Sequence, residues 1–333
     1  MLQVQTLESL QIFNRPANIR TPTSAPNPTP TRSIRVSSQT LFISGSRSGG
    51  SGFTLIELLV VISMVAMLAA LMAPALASSG TDSAAAKCLS NLRQVTAAWQ
   101  MYADENRGIL AYNEEGGTPP AWVYGVEDYS GAAFNFDTDY LLNPKYAQLG
   151  PYVKTAALFK CPSDMSLSAG ASGVPRMRSY SMSQAIGYNS GGSSIGQGAW
   201  LPSSIYLCYF KQSDFGRPSP AGLWLLVEEH PDSINDGAFA FEMPASPAAT
   251  QWVDTPAKYH ANACNFSFAD GHAETHAWAN PQAIPNPAYT TSRVETNMLP
   301  LSNNTDIWWV GTRTSATLNG AANPFPAGAV RQK

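Results

Sequence analysis

Six consecutive residues carry the most specific chemistry in this sequence: Gly52-Phe53-Thr54-Leu55-Ile56-Glu57. Gly52 offers a protease an unhindered, extended backbone at a scissile bond. Cleavage after it creates a positive α-amine on Phe53, one helical turn from the Glu57 carboxylate. Glu57 opens an apolar run, where a central acidic residue costs roughly 2.5–3.5 kcal/mol on insertion scales and less near the end. Such a cost persists when the charge has a partner. The Phe53 amine of a neighbouring copy of the chain would serve as such a partner.

A second constellation lies near the C-terminus, where His260 is followed, after nine intervening residues, by Asp270-Gly271. Asp-Gly between alternating residues is a strong hairpin signal. A two-residue turn there pairs Ala269 with His272, Phe268 with Ala273, Ser267 with Glu274 and Phe266 with Thr275. Phe266, Phe268, Ala273 and Thr275 then share the core side, because side chains alternate across a sheet. His272, Glu274 and His276 share the other side. His-x-Glu-x-His offers metal donors, although a solvated strand face is the plainer reading. His260 is expected to orient the hairpin through a hydrogen bond to the Asp270 turn. Glu228-Glu229-His230, after an apolar stretch, has the residue types of an acid/base cluster, but a strand ending in polar residues explains it as well. The sequence contains no Gly-x-Ser-x-Gly elbow, P-loop or dinucleotide fingerprint, and no enzymatic activity is expected.

The elements that must position these residues follow from composition. Residues 1–52 have no apolar periodicity, are rich in Pro, Thr, Ser and Gly, and carry five arginines against Glu8. They read as a disordered leader. Phe53 to Ala77 then holds 25 residues with Glu57 as the one charge. As a helix this is about 37 Å long at ~1.5 Å per residue, enough for a ~30 Å hydrocarbon core. The arginines before it place the N-terminus in the cytoplasm and the rest outside. Pro74 is expected to kink this helix. A plain signal peptide is the competing reading, with Ala75-Leu76-Ala77 as its cleavage site. Against it stand the length of the run, Glu57, and the helical pattern that continues past Ala77. Leu89, Leu92, Thr96, Trp99 and Ala103 recur at spacings of three and four, with Gly108 at a stop position.

Beyond Gly108 the chain reads as a loop-rich domain. Leu223 to Glu228 predicts a buried strand and Asn265 to Trp278 a hairpin; the tail from Ala279 looks irregular. All 8 tryptophans and 13 tyrosines lie beyond residue 95. Trp122, Tyr124, Tyr129, Trp200, Tyr206, Trp252, Trp308 and Trp309 would suit glycan or protein binding if exposed, and a domain core if not. A net charge of −3 argues against a nucleic-acid partner. The four cysteines, Cys88, Cys161, Cys208 and Cys264, suit disulfides in an exported domain.

Gly52 through Glu57 resemble the processing site of type IV prepilins and of the pseudopilins of type II secretion. The resemblance implies cleavage between Gly52 and Phe53 by a prepilin peptidase, methylation of Phe53, and assembly with other pilin or pseudopilin subunits from the cytoplasmic membrane. A leader of 52 residues is longer than usual for that family. His260, Asp270 and Gly271 resemble a processing-associated module at the C-terminus of planctomycete- and verrucomicrobial-type prepilin-like proteins. Lys87–Gln94, Tyr102–Asn106 and Phe159–Asp164 look like the same family. Cys88 and Cys161 sit in two of these segments and would pair if the domain packs on its helix, leaving Cys208 with Cys264. Pseudopilins often hold calcium in a C-terminal loop, and Asp232, Asn235 and Asp236 supply oxygens at loop spacing. The expected architecture is α+β: a leader over 1–52, a pilin-like helix over 53–107 that spans the membrane over 53–77, and an exported domain over 108–333 built on an antiparallel sheet. The expected role is a pilus or pseudopilus subunit, with a membrane-anchored binding module as the alternative.

Overall fold

A single helix, α1 (Leu55–Glu105), connects the N-terminal motif to the domain. The computed structural model describes residues 53–114, 120–169, 173–188, 200–243, 251–290 and 304–320, with the side chains of 69–82 outside that set. The leader over 1–52, the cleavage residue Gly52 and the side chain of Pro74 therefore lie outside the described residues. The chain divides into two units, Met1–Leu58 and Leu59–Lys333.

Within the second unit, α1 buries Cys88, Leu92, Val95, Thr96, Trp99 and Ala103. This is the three-and-four spacing of one helix face. Burying each of Leu92, Val95 and Trp99 contributes about 1.5–3 kcal/mol or more. Asn91 is buried as well, and its amide donates to the Lys160 carbonyl at 3.1 Å. The helix stops after Glu105. Arg107 and Gly108 turn to positive φ, and the Gly108 N–H closes on the Ala103 carbonyl at 2.8 Å. Glycine suits that conformation because it has no Cβ to clash.

The face rests on a five-stranded sheet. Its strands are β1 (Tyr180–Ser183), β2 (Trp224–Glu228), β3 (Ala238–Phe239), β6 (Ala263–Phe268) and β7 (Ala273–Ala277), in the order β3-β1-β2-β6-β7. A separate ribbon pairs β4 (Phe241–Glu242) with β5 (Gln251–Trp252). The fold is α+β, but the sheet is mixed rather than antiparallel, because β1 and β3 run parallel. The short α2 (Asp139–Leu142) and two 3-10 turns, at Gly150–Tyr152 and Ala156–Phe159, lie ahead of the sheet. The tail is not wholly irregular: α3 (Thr305–Thr314) starts at Asn304, whose side chain accepts from the Asp306 and Ile307 amides.

The two helices take opposite sheet faces. The Thr96 hydroxyl bonds Ser267 on one side, at 2.7 Å. On the other, the Trp224 indole donates to Thr314 of α3 at 2.7 Å and Phe266 meets Trp309 edge-on. The hairpin departs from the expected register by one residue: Ser267 pairs with Ala273, Phe266 with Glu274 and Asn265 with Thr275. The Gly271 N–H bonds Phe268 across the turn at 2.9 Å, the Phe268 N–H bonds the His272 carbonyl, and Gly271 has φ +101. This is a three-residue loop closed by a glycine bulge. Phe266 and Phe268 consequently share a face with His272, Glu274 and His276, whereas Ala273 and Thr275 turn toward α1.

Candidate functional site

The N-terminal motif builds its own helix start. Thr54 precedes α1, and its backbone N–H and hydroxyl both donate to Glu57 Oε2, at 2.9 and 2.8 Å, while its hydroxyl accepts from the Glu57 amide at 3.2 Å. This reciprocal arrangement is a capping box. The spacing Thr54-x-x-Glu57 signals it directly, and the reading of Glu57 as a partner for a charge passed over it. Around and beyond the box, Phe53, Leu55, Ile56, Leu58, Leu59, Ile62, Met64, Val65, Met67 and Leu68 are exposed. Among the described residues no helix is long and apolar enough to cross a membrane. The span expected over 53–77 runs into residues 69–82, whose side chains lie outside the described set.

The second site is buried in the domain and gathers residues from four segments. Cys88 lies on α1. Cys161 follows the 3-10 turn at Ala156–Phe159. Glu228 ends β2, and His260 sits in the turn before β6. A register shift between Trp224 and Leu226 decides which way Glu228 points. Without that extra residue, Trp224 and Glu228 would share a face. With it, Trp224 faces α3 and Glu228 faces α1.

Glu228 Oε1 lies 2.6 Å from Cys88 Sγ and 2.8 Å from His260 Nε2. Cys161 Sγ is 3.5 Å from the same imidazole nitrogen. The four ligand atoms lie within 4.8 Å of one another, and all four residues are buried. The surroundings hold them in place. Glu228 Oε2 accepts the Asn265 amide at 2.7 Å, the Tyr180 hydroxyl lies 3.1 Å from Cys88 Sγ, and Ser179 accepts the Cys161 amide at 3.1 Å. Burial pushes the Cys88 thiol up to about 11 and the Cys161 thiol further. Burial works against the His260 imidazolium, but contacts with Cys161 and Glu228 outweigh it and raise its pKa to about 10. Cys88 and Cys161 thus meet as free thiols. Cys264 instead directs its sulfur to the Glu228 carbonyl at 3.3 Å.

The remaining candidates are dispersed. His260 does not reach the Asp270 turn. The two residues lie beyond opposite ends of β6, about 20 Å apart at ~3.3 Å per residue. The nine-residue spacing is therefore the length of one strand and its two turns. Asp270 accepts from the His272 amide and ring, at 3.1 and 2.6 Å. Gln100 of α1 donates to the Ala269 carbonyl at 2.9 Å and docks the turn.

His272, Glu274 and His276 do not converge. His272 bonds Asp270, Glu274 is exposed, and His276 is buried against the Trp309 ring at 3.9 Å, with Asp306 at 3.5 Å. Helix α3, which the sequence reading missed, covers that part of the strand face.

Glu229 and His230 are buried too, but apart from the cluster. Glu229 accepts from Ser233 at 2.8 Å, and the His230 ring lies 3.3 Å from the Pro285 carbonyl. Burial pushes the Glu229 carboxyl well above its ordinary range and lowers His230. Of the calcium candidates, Asp232 accepts the Ala288 and Tyr289 amides, at 2.6 and 2.9 Å, and Asp236 accepts the Ala238 amide at 2.8 Å. Trp122, Tyr206, Trp252, Trp308 and Trp309 are buried, and Tyr124, Tyr129 and Trp200 are half-buried. Most of the aromatics thus fill the core and are not presented to a ligand.

Residues 47–73 match the family described as the prokaryotic N-terminal methylation motif. No curated protein and no solved structure matches the chain. The family match supports a prepilin-type protein.

Proposed function

We propose that the chain is a prepilin-like structural subunit of a type II secretion pseudopilus or a type IV pilus. It is cut between Gly52 and Phe53 by a prepilin peptidase and methylated on Phe53. The apolar start of α1 holds it in the cytoplasmic membrane, with the C-terminal domain on the far side. The observation that carries this reading is a register. A methylation-motif match over residues 47–73 coincides with a helix that begins at Leu55, caps itself through Glu57 and exposes apolar side chains to Leu68. A helix start with that much uncovered apolar surface suits lipid, and then the helices of neighbouring subunits. Its one acidic residue, Glu57, is placed to meet a neighbour's Phe53 amine. The role proposed is a structural one, and the separation of His260 and Asp270 by the length of β6 is in keeping with it.

The test is to block the cut. A Gly52→Val chain is expected to stay at precursor mass in cells that hold active prepilin peptidase, while the unaltered chain is shortened. Equal shortening of both chains contradicts the assignment of the bond.

A further inference from the structure

We propose that Cys88, Cys161, Glu228 and His260 form a closed, structural site for a single zinc(II) ion. The donor set is two thiols, an imidazole and a carboxylate, which suits a four-coordinate, borderline-soft cation. Tetrahedral zinc takes sulfur at about 2.3 Å and nitrogen or oxygen at about 2.0–2.2 Å, which puts its ligand atoms roughly 3.3–3.8 Å apart. The four atoms here already lie within 4.8 Å of one another, and the Cys161 sulfur and His260 nitrogen are 3.5 Å apart. The Glu228 contacts, at 2.6 and 2.8 Å, are tighter and would lengthen by about 0.5–1 Å around an ion, a shift within reach of side-chain rotation. Two thiols, an imidazole and a carboxylate converge in one buried pocket, and a cation among them accounts for that gathering.

The outer contacts fit the same role, because groups around a metal site orient its ligands and tune them. The Asn265 amide occupies Glu228 Oε2 and leaves Oε1 for the ion. The Tyr180 hydroxyl is placed to donate to a Cys88 thiolate. All four ligands are buried, so no position is open to substrate, and the site is structural. Its ligands span α1, a loop, β2 and the turn before β6. An ion there would pin the domain part of α1 to the sheet, in a loop-rich chain where Cys88 and Cys161 would otherwise suit a disulfide. Metal binding would deprotonate both thiols, and its free energy would be folding free energy.

The experiment uses the full chain, extracted in detergent without chelator. Elemental analysis is expected to find zinc at one equivalent per chain. The mass should be unchanged by reductant, and thiol reagents should label Cys88 and Cys161 only after chelation. Cobalt(II) exchanged into the chain should show thiolate charge-transfer absorption and the strong visible bands of tetrahedral coordination. The charge-transfer band should weaken in Cys161→Ser. Tyr180→Phe, which keeps all four ligands, should weaken the metal by about 10-fold or more. Measurements on the unaltered chain stand even if a ligand variant fails to fold. A Cys88–Cys161 disulfide, seen as a gain of two hydrogens on reduction, overturns the proposal. So does a chain with free thiols that takes up neither zinc nor cobalt.

Discussion

His260 Nε2 lies 2.8 Å from Glu228 Oε1, joining the turn before β6 to the end of β2. This contact gives the two ends of the His260–Asp270 motif different energetics. His260 is buried beside a buried carboxylate, whereas Asp270 is about one-third exposed and bonds a half-exposed His272. Removing one partner of a buried pair costs about 3–5 kcal/mol; a surface pair is worth about 0–1 kcal/mol. His260→Ala is therefore expected to lower the unfolding free energy several-fold more than Asp270→Ala. Denaturation of the two variants side by side checks this, and equal losses contradict it.

Glu57 has two separable tasks. It caps its own helix by accepting from Thr54, and in the proposed filament it neutralises a neighbour's amine. Glutamine preserves the first, since it also serves at that position of a capping box, but carries no charge. Glu57→Gln is expected to be cut as efficiently as the unaltered chain and to enter filaments poorly, as read by shearing or crosslinking of assembled subunits. Assembly at the unaltered level would confine Glu57 to capping.

The buried acids predict opposite pH limbs. Burial opposes the Asp164 carboxylate, but Lys160, Arg176 and the Ser179 hydroxyl outweigh it and hold its pKa below the ordinary value. Such a group adds stability above its unfolded pKa of about 3.9 and loses it as the pH falls through the folded value. Glu229 has the reverse sign. Burial raises its pKa well above the ordinary value, so its contribution is complete below about pH 4.3 and is lost as the pH rises toward the folded value. Glutamine mimics the protonated acid without titrating. The stability of Glu229→Gln relative to the unaltered chain should therefore rise from pH 4 toward neutrality. Thermal melts across that range check this, and a constant difference would contradict it.

Much of this structure was legible where one signal sufficed. The run Leu223 to Glu228 reads as a strand because it is continuously apolar, and it forms β2 at the centre of the sheet. The α1 face reads from the spacing of Leu92, Thr96, Trp99 and Ala103. The hairpin reads from Asp270-Gly271, but its register does not, because Asp-Gly serves both a two-residue turn and a three-residue loop with a glycine bulge. That single residue of slip is enough to move every side chain to the other face. Helix α3 was hidden among Pro- and Asn-rich residues, although Asn304 before Trp308-Trp309-Val310 is its capping signal.

The buried cluster was legible only in pieces. Cys88, Cys161, Glu228 and His260 each stood out, but along the chain they spread over more than half its length. Their meeting depends on the shift after Trp224, which no local pattern announces, and on α1 crossing above β2 and β6.

Processing at the Gly52–Phe53 bond precedes every later step of assembly, and N-terminal peptide analysis of the membrane-extracted protein reads it out. A mature chain that begins at N-methylated Phe53 is expected. A chain that begins at Ser78, or one left uncut in cells with active prepilin peptidase, would contradict it.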